Sequence, residues 1–315
     1  MRSPTFDAFL VAGIIGQVYA VPSPPTYILN RNSSLVGRES IPSMNIVGFT
    51  DNNAMAAAAA AAPVVLFGQN RGMAPCYPES AVKLGSNPPE KNPGTDSFNF
   101  GPAGAAPGAD CTGPGDYHEG GYNLGNPFPV YVSAKYCDTH QQWRVTYSVY
   151  WVHDGALSEG HRHDWESVTV AWKSSDGGTN WDRDALYLSQ HSGYASYGWG
   201  DIISVDDPTD RSEDNGAYKA HPKVYVGFYK HPMFPNKETD VKVEILAPEA
   251  MANKEFRSDD WYYLPHDGDL HPGSEIGDWK APGGIWDYGH ANSDPWNIMQ
   301  DTPPEGIKNV CSIGD

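Results

Sequence analysis

The chain has 315 residues, and 39 acidic against 21 basic side chains give it a formal net charge of −18. No basic surplus exists to displace the counterions of a nucleic acid or to hold anionic lipid by charge alone. Nucleic-acid binding is excluded, and a membrane could be met only through a specific headgroup contact or a bound cation. Aromatic residues at 12%, with 33 glycines, 27 prolines and only 19% charged residues, favour a β-rich, loop-heavy domain.

Met1-Arg2, the apolar stretch Phe9 to Ile15 and the end Val18-Tyr19-Ala20 follow the order of a secretory signal over residues 1–20. The stretch is well short of the roughly 20 residues a membrane span needs. No later segment is apolar enough, so a secreted, extracellular protein without a transmembrane segment is expected. Residues 21–55, rich in Ser, Pro and Asn, read as a flexible N-terminal arm or pro-segment in which Asn32-Ser33-Ser34 is a glycosylation acceptor. The remainder, 56–315, reads as one domain. It opens with an alanine run, Ala56 to Ala62, predicted as a helix that Pro63 stops. Val64-Val65-Leu66-Phe67 then reads as a strand, and residues 85–127 as long loops.

Cys76, Cys111, Cys137 and Cys311 are even in number, widely spaced and without a Cys-x-x-Cys pair. In a secreted chain that spacing predicts two disulfides, and the three ways of pairing them stay open.

The middle of the chain is the informative part. Trp143, Val145, Tyr147, Val149 and Trp151 alternate with Arg144, Thr146 and Ser148, the period of a strand with one buried face. Val168, Val170 and Trp172 form a second such row. Followed backwards, that row reaches Glu166 and then Asp164, so two carboxylates prolong a core-facing strand row. Val224-Val226-Phe228 and Val241-Val243-Ile245 repeat the pattern. Short antiparallel strands with polar turns predict a mainly β protein, a β-sandwich with long loops and few short helices.

Two inward carboxylates repel each other and lose hydration unless positive charge sits between them. His161, Arg162 and His163 come just before, and Asp154 ends the preceding strand, with Gly155 and Gly160 letting the hairpin fold back. Such an oxygen-rich set suits Mg²⁺, Ca²⁺ or Mn²⁺ better than Zn²⁺. Side chains two apart on a strand stand roughly 6.5–7 Å from each other, so one of Asp164 and Glu166 is expected to bind directly and the other through a water. A metal-free cluster neutralised by Arg162 or a protonated His is the alternative. Because the ligands must be deprotonated, ordinary carboxylate pKa values put the loss of activity below about pH 4–5.

Two enzyme patterns come near and fail. Only two residues separate His163 from Glu166, where a first cupin motif has three or four. In His161-x-His163-Asp164 the aspartate comes one place early for the metallo-β-lactamase run. There is no Gly-x-Ser-x-Gly elbow and no P-loop, so the chain is read as non-enzymatic.

Gly160-His161-Arg162-His163-Asp164-Trp165-Glu166 resembles the complete signature heptapeptide of the necrosis- and ethylene-inducing peptide-like proteins, secreted by fungi, oomycetes and some bacteria. Tyr147 to Trp151 followed by Asp154 resembles the aromatic strand before that signature. Cys76-Tyr77-Pro78 resembles the family's cysteine segment, and Leu188 to Tyr194 its histidine-glycine turn. Val152-His153-Asp154-Gly155 departs from the Phe-Pro-Lys-Asp of many toxic members.

The resemblance implies a β-sandwich similar to actinoporins and fungal lectins. It implies a divalent cation held by Asp154, His161, Asp164 and Glu166, with His163 and His191 in a headgroup pocket, and Asp259 or Asp260 as a further acid. It also implies the disulfides Cys76–Cys111 and Cys137–Cys311. The implied activity is that of a monomeric cytolysin and virulence effector. Its partner would be glycosyl inositol phosphoceramide, the sphingolipid of the outer plant plasma membrane, and the result membrane damage and necrosis. A non-cytolytic glycan binder and a metal-dependent hydrolase are the alternatives. Trp261, Trp279, Trp286 and Trp296 read as core or sugar-stacking residues, His266, His271 and His290 as solvated, and Asp206 to Asp210 as an exposed loop.

Overall fold

The computed structural model describes residues 41–42, 53–69, 72, 74–83, 85–86, 89–95, 111–156, 159–178, 180–190, 193–213, 219–228, 230–239, 254, 257–273, 288, 295, 297–303 and 308–314. The chain divides into Met1–Ser34 and Leu35–Asp315, and every described residue belongs to the second unit. The expected signal segment, Asn32, His191, His290, Trp279, Trp286, Trp296 and the 241–245 row lie outside the described residues.

Thirteen strands and one α-helix are described: β1 (Ile41–Pro42), α1 (Asn53–Ala60), β2 (Val64–Phe67), β3 (Asn123–Leu124), β4 (Val130–Cys137), β5 (Gln142–Ala156), β6 (Glu159–Lys173), β7 (Asn180–Gln190), β8 (Gly193–Gly198), β9 (Ser204–Val205), β10 (His221–Val226), β11 (Met233–Phe234), β12 (Trp261–Tyr263) and β13 (Leu270–Pro272). One sheet runs β1-β7-β6-β5-β4-β13 with β8 on β7; the other runs β11-β10-β2-β12-β3 with β9 on β10. The expected antiparallel order needs a correction, because β10–β2, β12–β3 and β13–β4 are parallel pairs. Val65, Phe67, Val224, Val226 and Trp261 from the smaller sheet share one core with Val132, Val145, Tyr147, Val168 and Leu188 from the larger. The fold is a β-sandwich.

Helix α1 forms on the alanine run but spans Asn53–Ala60, starting earlier and ending sooner than the expected 56–62, and the small side chains of Ala57 and Ala58 within it and of Ala61 and Ala62 just beyond it bury completely in that core. Burial leaves the carbonyls of its last turn without water. Tyr147 Oη donates to Ala58 O at 2.8 Å, Arg183 Nη2 to Ala60 O, and His221 Nδ1 lies 2.9 Å from Ala62 O.

The alternation along β5 holds, but its polar face is not solvated. Arg144, Thr146 and Ser148 are all buried. Arg144 Nη1 donates to Val310 O and Ile313 O of the C-terminal 3₁₀ turn, and Thr146 and Thr169 share a 2.7 Å hydroxyl hydrogen bond across β5 and β6. Further along the same face, a strap is tied on by Glu79 N–H to Tyr150 O at 3.0 Å and Thr95 N–H to Val152 O at 2.9 Å.

Two disulfides fasten these covers, Cys76–Cys111 and Cys137–Cys311, the pairing the resemblance implies. Their sequence separations are 35 and 174 residues, so loop-closure entropy makes the second the larger constraint on the unfolded chain. Cys137→Ser with Cys311→Ser should cost about 3–5 kcal/mol by chemical denaturation. A loss under about 1 kcal/mol would show that the C-terminal turn is held by Arg144 alone.

Candidate functional site

The far end of the β5–β6 hairpin carries the acidic cluster. Val149 pairs with Glu166, Trp151 with Asp164 and Asp154 with His161, so Asp164 and Glu166 continue the buried row of Val168 and Val170. Strict alternation would put Asp154 and His161 on the opposite face. The backbone of His163 is left-handed, with φ 66°, and beyond it His161 and Asp154 come within electrostatic reach of Asp164. The hairpin thereby gathers three carboxylates that a flat ladder would separate.

Each acid is held differently. Asp154 Oδ2 lies 3.3 Å from His161 Nε2, while Asp154 Oδ1 is buried without a hydrogen-bond partner. Asp164 Oδ2 accepts from His231 Nδ1 at 2.8 Å, and its carboxylate also takes the Trp165 N–H. Glu166 Oε2 accepts the Ser189 hydroxyl. Imidazoles stand within ion-pair distance of Asp154 and Asp164, and the Lys230 charge also acts on both. Arg162, which the metal-free reading sets between the acids, is exposed and donates to Pro93 O on the strap.

His231 supplies what the sequence reading lacked. It follows Lys230 in the turn between β10 and β11, and both have left-handed backbones, φ 57° and 47°. The turn drives the His231 ring into the sandwich, where it stacks on Trp151 with centroids 4.5 Å apart and planes 6° apart. No periodicity marks a lone histidine in a turn, so only the tertiary contact reveals it. Ser189 was visible in the segment Leu188 to Tyr194, but its role was not.

Other expectations change. His163 does not face the acids: it lies on the opposite face, 2.7 Å from Tyr150 Oη and edge-on to Tyr288. Its left-handed backbone turns the hairpin while its ring fills an aromatic cluster with Trp165 nearby. Asp259 pairs with Lys237, and Asp260 accepts from Gln69 N–H and Ser258 Oγ, so both lie in networks of their own. Trp261 is fully buried in the core.

Burial governs the electrostatics. It raises the Asp154 carboxyl to about 6, with the Asp164 charge adding to the rise. It raises Asp164 to about 7, partly offset by His161 and the Trp165 N–H, and pushes Glu166 well above the ordinary glutamate value. Burial also lowers His231 to about 4, so its ring is neutral at pH 7 and its Nδ1–H donates to Asp164.

In the cation-free protein the folded Asp154 and Asp164 pKa values lie above the 3.8 of an exposed aspartate. The folded chain then binds more protons than the unfolded chain between about pH 4 and 7, and this stabilisation is lost as pH rises through that window. In EDTA the melting temperature should fall over the window more steeply than in Glu166→Gln; parallel curves would contradict it. Protons compete for the same oxygens, so any cation held there would bind more weakly below about pH 7. That lies above the value of about pH 4–5 expected from ordinary carboxylates.

The donor set fits a hard divalent cation. His161 Nδ1 lies 2.8 Å from His163 O, which commits its proton to that carbonyl and turns the Nε2 lone pair toward Asp154. Metal-ligating histidines are oriented in this way. The carboxylates are buried, mutually repelling and provided with one orphaned oxygen. Among the described residues, the one triplet whose ligand atoms lie within 4.8 Å of each other is Cys76, Cys111 and His153, and its two sulfurs are joined in a disulfide. No three of Asp154, His161, Asp164 and Glu166 bring their ligand atoms that close together among the described residues.

The family model described as necrosis inducing protein (NPP1) matches residues 107–245, which contain all four expected cation ligands. No curated protein matches the chain. Among solved structures, it is similar to the non-toxic HaNLP3 protein, at 18% identity and TM-score 0.43 over 86% of this chain and 93% of that one. It is also similar to a toxin fold for microbial attack and plant defense, at 18% identity and TM-score 0.38 over 80% and 87%. A third is NLPPya in complex with glucosamine, at 17% identity and TM-score 0.40 over 81% and 88%. The likeness read from the heptapeptide Gly160 to Glu166 is borne out by the family match, and residues 107–245 are similar to the necrosis inducing proteins.

Proposed function

We propose that this chain is a secreted, cation-dependent cytolysin that binds the glycosyl inositol phosphoceramide headgroup of plant plasma membranes and damages the bilayer without covalent catalysis. The observation that carries the reading is the trio Asp154, Asp164 and Glu166, buried together at a strand end, with His161 beside Asp154 and His231 beside Asp164. A bound divalent cation would supply the positive field that lets a protein of net charge −18 receive an anionic headgroup. The chain's own residues prepare the place. His231 fixes Asp164, Ser189 fixes Glu166, and the His163 carbonyl orients His161 beside Asp154. Two disulfides suit secretion, and no helix among the described residues is long and apolar enough to cross a membrane.

The test is dye release from vesicles containing plant glycosyl inositol phosphoceramide, with and without EDTA, beside sphingolipid-free vesicles. Leakage confined to the plant lipid and abolished by EDTA is expected. A folded, cation-loaded protein that causes no leakage would overturn the lytic reading in favour of glycan binding. Release of cleaved headgroup would favour a hydrolase.

A further inference from the structure

A second ligand cluster, apart from the acids, is built from softer atoms. Cys76, Cys111 and His153 each place one ligand atom within 4.8 Å of the others, and His153 Nε2 stands 3.0 Å from Cys111 Sγ. Cys76 and His153 are buried and Cys111 is half-buried. Joined in a disulfide, the two sulfurs are poor ligands, because the thiolate is the form that binds metal. As thiolates they complete, with the imidazole, the Cys₂His set that suits Zn²⁺ and leaves its fourth tetrahedral position to a water.

The disulfide is not alone in bringing these groups together. Tyr77 N–H donates to Thr112 O at 3.1 Å, joining the two segments one residue beyond each cysteine. Thr112 N–H donates to Glu79 Oε1 at 3.0 Å, and Glu79 N–H to Tyr150 O at 3.0 Å, which ties both segments to β5. On the same strand, two residues before His153, Trp151 Nε1–H donates to Cys76 O at 3.2 Å. These bonds hold the Cα atoms of Cys76 and Cys111, 5.0 Å apart, without help from the sulfurs. Two thiolates on one Zn²⁺ at about 2.3 Å stand about 3.8 Å from each other, a spacing that side-chain rotation supplies from that backbone.

We propose that Cys76, Cys111 and His153 form a redox-gated Zn²⁺ site that fastens the strap to β5 once their disulfide is reduced. Two external thiols supply the two electrons and leave as a disulfide of their own, while Cys76 and Cys111 become thiols. Zn²⁺ then takes both as thiolates, releasing two protons to solvent, and His153 Nε2 gives its lone pair. The ion occupies the junction that the S–S bond held, and it shares no ligand with Asp154, Asp164 and Glu166.

The experiment reduces the full chain with a trialkylphosphine, which becomes the phosphine oxide by taking oxygen from water and adds no competing thiol. The reduced chain is titrated with CoCl₂ and then with ZnCl₂. Sulfur-to-cobalt charge transfer in the near ultraviolet reports thiolate ligation and is silent for oxygen ligands. One equivalent of Co²⁺ should give the band, Zn²⁺ should abolish it, and the unreduced chain should show none. His153→Gln should weaken Co²⁺ binding about 100-fold, the upper end for losing even an outer-shell partner. In wild type, Zn²⁺ should slow alkylation of Cys76 and Cys111 by iodoacetamide about tenfold relative to Cys137 and Cys311, read by mass spectrometry. Equal protection of all four cysteines, absence of the band, or a band untouched by His153→Gln would overturn the proposal. Loss of the native near-ultraviolet circular dichroism on reduction would overturn it too, since the triad exists only while the strap and β5 stay packed. Should His153→Gln not fold, the alkylation pattern of wild type decides. No outcome bears on the acidic cluster, which has no sulfur ligand.

Discussion

Asp164→Asn should abolish cation binding and membrane leakage together while making the cation-free protein more stable. Asp164 is the centre of the repulsion, since its charge raises the carboxyls of both Asp154 and Glu166. Its own carboxyl is raised to about 7, which means that folding at pH 7.5 forces an ionised group into a place that disfavours it. Asparagine removes that charge and still offers an oxygen to His231 Nδ1. Melting in EDTA at pH 7.5 should thus show a higher transition for Asp164→Asn than for wild type. Cation affinity should fall about 100-fold or more, beyond the loss usual for an outer-shell partner. Leakage from the plant-lipid vesicles should drop to the level of sphingolipid-free controls. If Asp164→Asn lyses as wild type does, the acidic cluster is not the functional site.

Trp151→Ala should cost about 3–5 kcal/mol of stability in urea denaturation, the range for removing a buried tryptophan from a packed core. Trp151 is fully buried, its ring lies flat on His231, and its Nε1–H donates to Cys76 O at 3.2 Å. One side chain thus joins the core, the disulfide segment and the acid-holding histidine. Truncation leaves a cavity, an unpaired carbonyl and a His231 ring with nothing to lie on. The variant should also lose about tenfold in cation affinity, because Asp164 loses its fixed partner. Trp151→Phe keeps the stack and loses only the N–H, so about 1–2 kcal/mol is expected there. A loss below about 1 kcal/mol for Trp151→Ala would contradict the stacking argument.

The strands that hold the site were legible because their signal is local. Period-two alternation from Trp143 to Trp151 and from Asp164 to Trp172 follows from the pleat, and it placed Asp164 and Glu166 on the core row correctly. The same rule breaks down at the hairpin end. One left-handed residue, His163, reverses the facing, bringing His161 to the acids and sending its own ring to Tyr150 and Tyr288. A heptapeptide displays seven residue types in order but not the backbone angle at its fourth. The polar face of β5 was equally unreadable, because what covers Arg144 is a 3₁₀ turn some 166 residues later.

On its own, the sequence determined the mainly β class, the alanine helix before Pro63, the buried row carrying two acids, and through its heptapeptide the likeness to necrosis inducing proteins. Those features reside in propensity, period and short motifs, which are properties of neighbouring residues. Only the tertiary structure decided that His231 and Ser189 hold the acids, that His163 does not, and that burial lifts the carboxyls toward neutral pH. A pKa and a ligand geometry depend on what surrounds a group in space. Here the surroundings come from β5, β6, β7 and the turn before β11, which only folding brings together.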